Sequence, residues 1–139
     1  MKLVLATKNP GKLKELTMLA GNDFGFELDF EMILAPDEFN PHESGNSFLE
    51  NAIIKAREAA QLTELPAIAD DSGLEVDALD GRPGVQSGRY CEGSDTERCR
   101  KVLAELGSLP EEKRNASFIC AMALSSSAGD ILHSTLGRW

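Results

Sequence analysis

The sequence between residues 66 and 74 reads Pro66-Ala67-Ile68-Ala69-Asp70-Asp71-Ser72-Gly73-Leu74. The apolar run at its start predicts a short buried strand, and its polar, glycine-containing end predicts a turn. Sheets of α/β proteins bind ligands at the carboxyl ends of their strands, and Mg²⁺ commonly takes one or two carboxylates together with substrate phosphates. The pair Asp70-Asp71 is therefore a candidate metal site. The alternative is an Asx-type turn, in which Asp and Ser side chains accept local backbone hydrogen bonds.

Strand and helix patterns alternate on both sides of this segment. The inward face of the third predicted helix is expected to hold Cys99, Val102, Leu103 and Leu106. Ser47 and Glu50 form a capping-box pattern before the second helix, and the apolar residues from Phe48 to Ala60 recur at helical spacing, which predicts an apolar stripe on that helix. The predicted strands lie at residues 3–7, 26–32, 66–69, 74–78, 116–124 and 131–136, and the predicted helices at 12–19, 48–60 and 95–106. This order predicts one α/β domain over residues 1–139.

A lysine-containing loop joins the first predicted strand to the first predicted helix and reads Thr7-Lys8-Asn9-Pro10-Gly11-Lys12. A strand that turns into a helix presents free backbone N–H groups and the positive end of the helix dipole. Gly11 lets a ligand approach the backbone closely, the two lysines add positive charge, and Thr7 and Asn9 can hydrogen-bond phosphate oxygens. The pattern lacks the first glycine and the final Ser or Thr of a Walker A loop. Phosphate binding and an ordinary turn with solvated lysines are equal alternatives.

Two charged residues near the second helix are further candidates. Glu43 lies in a glycine-containing loop, where it would be a second metal-binding carboxylate or a solvated acid. Lys55 follows Asn51 by four residues on the same side of the helix, and it would reach a phosphate or solvent. Adjacent residues of an extended segment point to opposite sides. We therefore expect one of the two aspartates to face the site and the other to support it.

Composition limits the class of protein. The chain has 139 residues, of which 42% are hydrophobic, and a formal net charge of −9, which fits a globular domain. Because binding to polymer phosphates needs clustered Lys and Arg, we expect no nucleic acid partner. The sequence lacks a membrane-length apolar run and a signal-peptide pattern. Its three cysteines and two histidines show no metal-ligand spacing. We expect a cytoplasmic protein without membrane association.

Four segments, in this order, resemble the inosine/xanthosine triphosphate pyrophosphatase family. They cover residues 5–12, 43–56, 67–74 and 81–90, and they match the family's phosphate loop, central helix entry, catalytic turn and following loop. The resemblance implies an ITPase-like fold, an elongated mixed twisted sheet flanked by helices, with two lobes and a central cleft. The sequence departs from the family at Gln86, where an aromatic residue is usual.

The resemblance also implies an activity and roles for particular residues. The family hydrolyses non-standard purine nucleoside triphosphates (ITP, dITP and XTP) to the monophosphate and pyrophosphate with Mg²⁺. It thereby cleans the nucleotide pool, and it forms homodimers. By resemblance, Asp71 is the catalytic proton acceptor and, with Glu43, a metal ligand. The residues that hold the triphosphate are Thr7, Lys8, Asn9, Pro10, Gly11 and Lys12, with Lys55 and Ser72 assisting.

The sequence stops at Trp139, where the family continues. The family's Phe-Gly-Tyr-Asp and Ser-His-Arg segments, which contact the base, have no counterpart here. The resemblance therefore implies a domain whose C-terminal part is missing. Three alternatives stay open: a Mg²⁺-dependent pyrophosphatase, a truncated, catalytically weak nucleotide-binding or dimerising module, and a sibling pyrophosphatase that acts on other altered nucleotides.

Overall fold

Five strands form one mixed sheet in a computed structural model that describes residues 1–22 and 30–139. The strand order is β2-β1-β3-β4-β5. The strands are β1 (Lys2–Leu5), β2 (Glu31–Leu34), β3 (Ala67–Val76), β4 (Ala116–Ser125) and β5 (Ile131–Arg138), and the helices are α1 (Pro10–Asn22), α2 (Phe48–Thr63) and α3 (Asp95–Leu106). Short 3₁₀ turns lie at Asp77–Leu79, Gly84–Arg89 and Glu111–Lys113. The predicted α/β class is confirmed. Of the strand predicted at 26–32, residues 26–29 lie outside the described residues.

The central strand β3 is longer than its parallel neighbour. β1 runs parallel to β2 and β3, whereas β3, β4 and β5 pair antiparallel. β1 and β3 share two residue pairs, Val4 with Ala67 and Leu5 with Ile68, while all ten residues of β3 pair with β4. β3 therefore extends beyond the carboxyl end of β1, and its edge is no longer covered by β1 from Ala69 onward.

The predicted turn at residues 70–73 is wrong. Asp70 and Asp71 lie inside β3, and the separate strand predicted at 74–78 is the second half of the same strand. The reason is long-range, because pairing with β4 outweighs the local turn preference of the Asp-Ser-Gly sequence. The ligand argument still applies, since Asp70 and Asp71 follow closely on Ile68, where the parallel pairing with β1 ends.

Helix α2 covers one face of the sheet. Its four alanines, Ala52, Ala56, Ala59 and Ala60, have no exposed surface. They pack in one cluster with Ala67 and Ala69 of β3 and with Ile119, Ala121 and Ala123 of β4. The predicted apolar stripe of this helix is confirmed. Because side chains alternate along a strand, Asp71 shares the face of Ala67 and Ala69 and points toward α2, whereas Asp70 points to the opposite face.

Helix α3 covers a second, smaller core cluster. Its predicted bounds are confirmed, and Ser94 and Glu97 form a reciprocal capping box at its start. Val102 is buried with Val76 and Leu79. The predicted inward face is wrong for Cys99 and Leu103, which are exposed, because α3 meets the rest of the protein along a narrow stripe.

The start of α1 and the capping of α2 differ slightly from the predictions, whereas α2 begins at Phe48 as predicted. α1 begins at Pro10, in keeping with the preference of proline for the first helical turn. Before α2, Ser47 Oγ accepts the Glu50 N–H at 3.2 Å, but the Glu50 carboxylate accepts the Asn46 N–H at 2.6 Å. Half of the predicted capping box is therefore formed. None of the helices in the described part of the chain is long and apolar enough to cross a membrane.

Candidate active site

A cluster of two carboxylates and one ammonium group lies between β3 and α2. Lys55 is on the face of α2 that packs against the sheet, and its Nζ lies 3.5 Å from Asp71 Oδ1 and 3.3 Å from Glu43 Oε1. Glu43 comes from the loop before α2. All three side chains are largely shielded from solvent, with exposed fractions of 13% for Asp71, 11% for Lys55 and 27% for Glu43. The structure thus brings together three residues that the sequence proposed separately.

The environment pushes the pKa values of the two carboxyls in opposite directions. Burial raises the pKa of Asp71 above its ordinary value, and Lys55 and a hydrogen bond from the Asn51 side chain offset only part of this effect. Burial also acts on Glu43, but there the Lys55 and Arg89 cations outweigh it and hold the pKa below its ordinary value. Two carboxyls with divergent pKa values are the usual arrangement of a proton acceptor beside a fixed anion. Asp71 is the better proton acceptor of the two.

The side-chain amide of Asn51 faces the carboxylate of Asp71. Asp71 Oδ2 and Asn51 Nδ2 are both buried, and the Asn51 side chain acts on Asp71 as a hydrogen-bond donor. The carboxylates of Asp71 and Glu43 converge on one ammonium group, so this pair of hard oxygen donors fits the chemistry of a cation site. In the described part of the chain, no three His, Cys, Asp or Glu side chains converge on one point. Mg²⁺ suits such a sparse set, because it commonly keeps waters and phosphate oxygens as its other ligands.

Two contacts fix the position of Glu43, and the sequence predicted neither of them. Arg89 Nη1 donates to Glu43 Oε2 at 3.0 Å, and Arg89 Nε donates to Gln86 Oε1 at 2.8 Å. Asn51 Oδ1 accepts the Gly45 N–H at 2.8 Å, which ties the loop of Glu43 to α2. Arg89 is 46 residues away from Glu43 along the chain, so no local pattern links them.

The turn Gly84–Arg89 is anchored on β3, and this anchor positions Arg89. Ser87 Oγ accepts the Leu74 N–H at 2.9 Å and donates to the Gly84 carbonyl oxygen at 2.6 Å. Gly73 lies against Ser87, and a Cβ atom at position 73 would clash with Ser87 Oγ. A side chain at position 73 would therefore displace the turn that carries Arg89.

The predicted phosphate loop lies beyond the carboxyl end of β1. Thr7 Oγ1 accepts the Asn9 N–H at 3.2 Å, and Asn9 Oδ1 accepts the Gly11 N–H at 2.8 Å. These bonds use acceptor atoms only, so the Thr7 hydroxyl hydrogen and the Asn9 Nδ2 group remain as donors. Pro10 and Gly11 open α1 and are exposed. The loop presents donors at a helix N-terminus, as an anion site requires.

The two lysines of this loop point to different places. Lys12 Nζ lies 2.5 Å from Asp70 Oδ2, which ties the loop to β3 on the face opposite Asp71. Lys8 Nζ lies 3.4 Å from the Asp37 carbonyl oxygen, in the loop after β2. The expectation that one aspartate supports the site is in keeping with this geometry, since Asp70 holds Lys12. Sequence reasoning did not find this ion pair.

Ser72 is not part of the carboxylate cluster. By strand alternation its side chain shares the face of Asp70. The Ser72 N–H points to the same edge of β3 as the Leu74 N–H. At that edge the Leu74 N–H donates to Ser87 Oγ of the Gly84–Arg89 turn. A mainly apolar cavity of about 610 Å³ starts at Ser72 and Gly73 and extends to Tyr90, Val102 and Phe118.

The sequence matches a known family over almost its whole length. The model of the Ham1 family matches residues 3–139. The chain is also 51% identical to the dITP/XTP pyrophosphatase of Yersinia pseudotuberculosis over 144 aligned positions, which cover 99% of this chain and 70% of that relative. The chain belongs to the Ham1 family.

Solved structures of other proteins support the fold of this Ham1 family member. A HAM1 protein from Coxiella burnetii matches with a TM-score of 0.85 and 40% identity, over 100% of this chain and 71% of that one. The nucleoside-triphosphatase / dITP/XTP pyrophosphatase from Mycobacterium abscessus matches with a TM-score of 0.83 and 39% identity, over 100% of this chain and 72% of that one. The mixed sheet flanked by helices, which the resemblance implied, is confirmed.

Proposed function

We propose that this Ham1 family member is a Mg²⁺-dependent nucleoside triphosphate pyrophosphatase. It would hydrolyse non-standard purine nucleoside triphosphates such as dITP, ITP and XTP to the monophosphate and pyrophosphate. The observation that carries the proposal is the cluster of Glu43, Lys55 and Asp71, in which the pKa of Asp71 is raised. A donor-rich loop at the N-terminus of α1, tied to β3 through Asp70, supports it. The names of the relatives agree with this activity.

In the proposed reaction, Asp71 orients a water molecule and accepts its proton while the water attacks the α-phosphorus. The bond from the α-phosphorus to the bridging oxygen breaks, and pyrophosphate leaves. Lys12, Thr7 and Asn9 would hold the triphosphate and neutralise the charge that develops on its oxygens. A raised pKa makes a carboxylate a stronger proton acceptor than an ordinary aspartate.

Glu43 and Asp71 would hold the Mg²⁺ ion. When bound, Mg²⁺ neutralises phosphate charge and polarises the attacked phosphorus. The two carboxylates already converge on one positive charge, that of Lys55, which supports their assignment as ligands of one cation. Ser72 would contact the substrate through its N–H on the edge of β3, and Lys55 would reach a phosphate oxygen.

Isotope labelling tests the proposed reaction. The protein is incubated with dITP and Mg²⁺ in water enriched in oxygen-18, and the products are analysed by mass spectrometry, with ATP as the comparison substrate. Attack at the α-phosphorus places the label in the monophosphate, and dITP reacts faster than ATP. Release of inorganic phosphate and a nucleoside diphosphate would contradict the proposal. Triphosphate binding without turnover would favour the nucleotide-binding module.

The family resemblance extends the proposal to a homodimer that removes altered nucleotides from the nucleotide pool. Light scattering on the purified chain tests the assembly. A mass near twice the 15.0 kDa of one chain supports the dimer, and a mass of one chain at high concentration contradicts it.

A further inference from the structure

The ammonium group of Lys55 bridges the two carboxylates that are proposed to bind the cation. It lies 3.3 Å from Glu43 Oε1 and 3.5 Å from Asp71 Oδ1. Its side chain is 11% exposed. Two carboxylates that converge in a shielded place repel each other unless a positive charge lies between them. Lys55 supplies that charge.

A divalent cation held by both Glu43 and Asp71 would compete with the ammonium group for these two carboxylates. A cation and an ammonium group this close would repel each other strongly at low effective dielectric. Lys55 sits on a flexible four-carbon chain, so the ammonium can move while α2 stays in place. Arg89 differs, because it contacts the other Glu43 oxygen, Oε2, from a more exposed position.

We propose that Lys55 is a stand-in cation, which holds Glu43 and Asp71 together until a divalent metal displaces its ammonium group toward the bound phosphate. The proposal rests on the assignment of Glu43 and Asp71 as metal ligands under the proposed function. It gives Lys55 two successive partners, the carboxylates before metal binding and a phosphate oxygen afterwards. Arg89, by contrast, is a positioning residue that keeps Glu43 in place in both states.

Lysine labelling in the absence of nucleotide tests the displacement directly. The wild-type chain is acylated with and without Mg²⁺, and each lysine is quantified by mass spectrometry. We expect Mg²⁺ to increase the labelling of Lys55 several-fold, because its amine leaves the carboxylates. Lys101 is the control, because it packs on the Tyr90 ring and pairs with Glu105 on α3. Its labelling should not change with Mg²⁺.

Affinity for Mn²⁺, measured by electron paramagnetic resonance, separates displacement from simple charge repulsion. Lys55→Met should tighten Mn²⁺ binding by about 10-fold, since it removes the competing charge. Arg89→Met should weaken it, since Glu43 loses its support. Equal tightening by both substitutions would overturn the proposal. If Lys55→Met does not fold, the labelling of the wild-type chain decides alone.

Two controls separate this proposal from the proposed function. If Glu43→Gln and Asp71→Asn abolish Mn²⁺ binding but Mg²⁺ leaves Lys55 labelling unchanged, the metal site stands and the displacement is refuted. If both substitutions leave Mn²⁺ affinity at the wild-type value, the metal site itself is refuted, and the displacement falls with it.

Discussion

Gly73→Ala is expected to disrupt the junction between β3 and the turn that carries Arg89. A Cβ atom at this position would clash with Ser87 Oγ and lie 2.9 Å from the Gly84 carbonyl oxygen. Both groups belong to the short turn Gly84–Arg89, and the carbonyl is backbone, so relief requires the turn to move. The movement would also draw Arg89 away from Glu43.

The loss in the free energy of unfolding of the Gly73→Ala variant follows from the contacts that the substitution breaks. The two hydrogen bonds of Ser87, with the Leu74 N–H and with the Gly84 carbonyl, contribute about 1 kcal/mol each. Forcing an extra methyl group into a packed place costs about 1–3 kcal/mol. The free energy of unfolding should therefore fall by about 3–5 kcal/mol in the Gly73→Ala variant.

Urea unfolding of matched variants measures this cost. Gly88→Ala is the control, because a Cβ atom there meets nothing within 4 Å, and its free energy of unfolding should stay within about 0.5 kcal/mol of wild type. Adding Ser87→Gly to Gly73→Ala removes the closest clash and should recover part of the loss. If Gly73→Ala is as stable as Gly88→Ala, the reasoning about this junction is refuted.

Two further predictions concern local structure. Gly45→Ala would place a Cβ atom 2.6 Å from Asn51 Oδ1 and 2.9 Å from Asn51 N. The free energy of unfolding in urea should therefore fall by about 2–4 kcal/mol, and Mn²⁺ binding should weaken. The control variant Ser44→Ala should change neither the stability nor Mn²⁺ binding. Hydrogen bonds from the Ser94 N–H and hydroxyl lower the pKa of Glu97. The contribution of Glu97 to stability is therefore present above the pKa of Glu in the unfolded chain and is lost as pH falls through the lower folded value. The difference in melting temperature between wild type and Glu97→Gln should thus be present at pH 7 and close in acid, and a difference that does not change with pH would contradict this assignment.

The sequence predicts the helices well, because the residues that begin and end a helix act within a few positions of it. The bounds of α3 follow from the Ser94 cap and from Gly107, both of which act within one helical turn. The apolar stripe of α2 follows from side-chain periodicity. The uninterrupted path of β3 through Asp70, Asp71 and Ser72 did not follow, because its cause is pairing with β4, a strand about 50 residues later in the sequence.

For the candidate site, the sequence predicts which residues take part but not the tertiary contacts between them. Glu43, Lys55 and Asp71 were named from the sequence, but their distances depend on how α2 packs against β3. Arg89 and Asn51 were not found, because each acts on Glu43 or its loop through a tertiary contact. Residue spacing does not encode contacts of this kind.

The central claim is that Asp71 is the proton acceptor of a pyrophosphatase. The most direct test measures pyrophosphate release from dITP with Mg²⁺ by Asp71→Asn, beside isothermal titration of a non-hydrolysable triphosphate. Asp77→Asn is the control, since this exposed carboxylate lies just past the end of β3. We predict that Asp71→Asn lowers kcat by at least about 100-fold while triphosphate binding persists, and that Asp77→Asn keeps wild-type turnover. Near-wild-type turnover by a folded Asp71→Asn variant would contradict the claim.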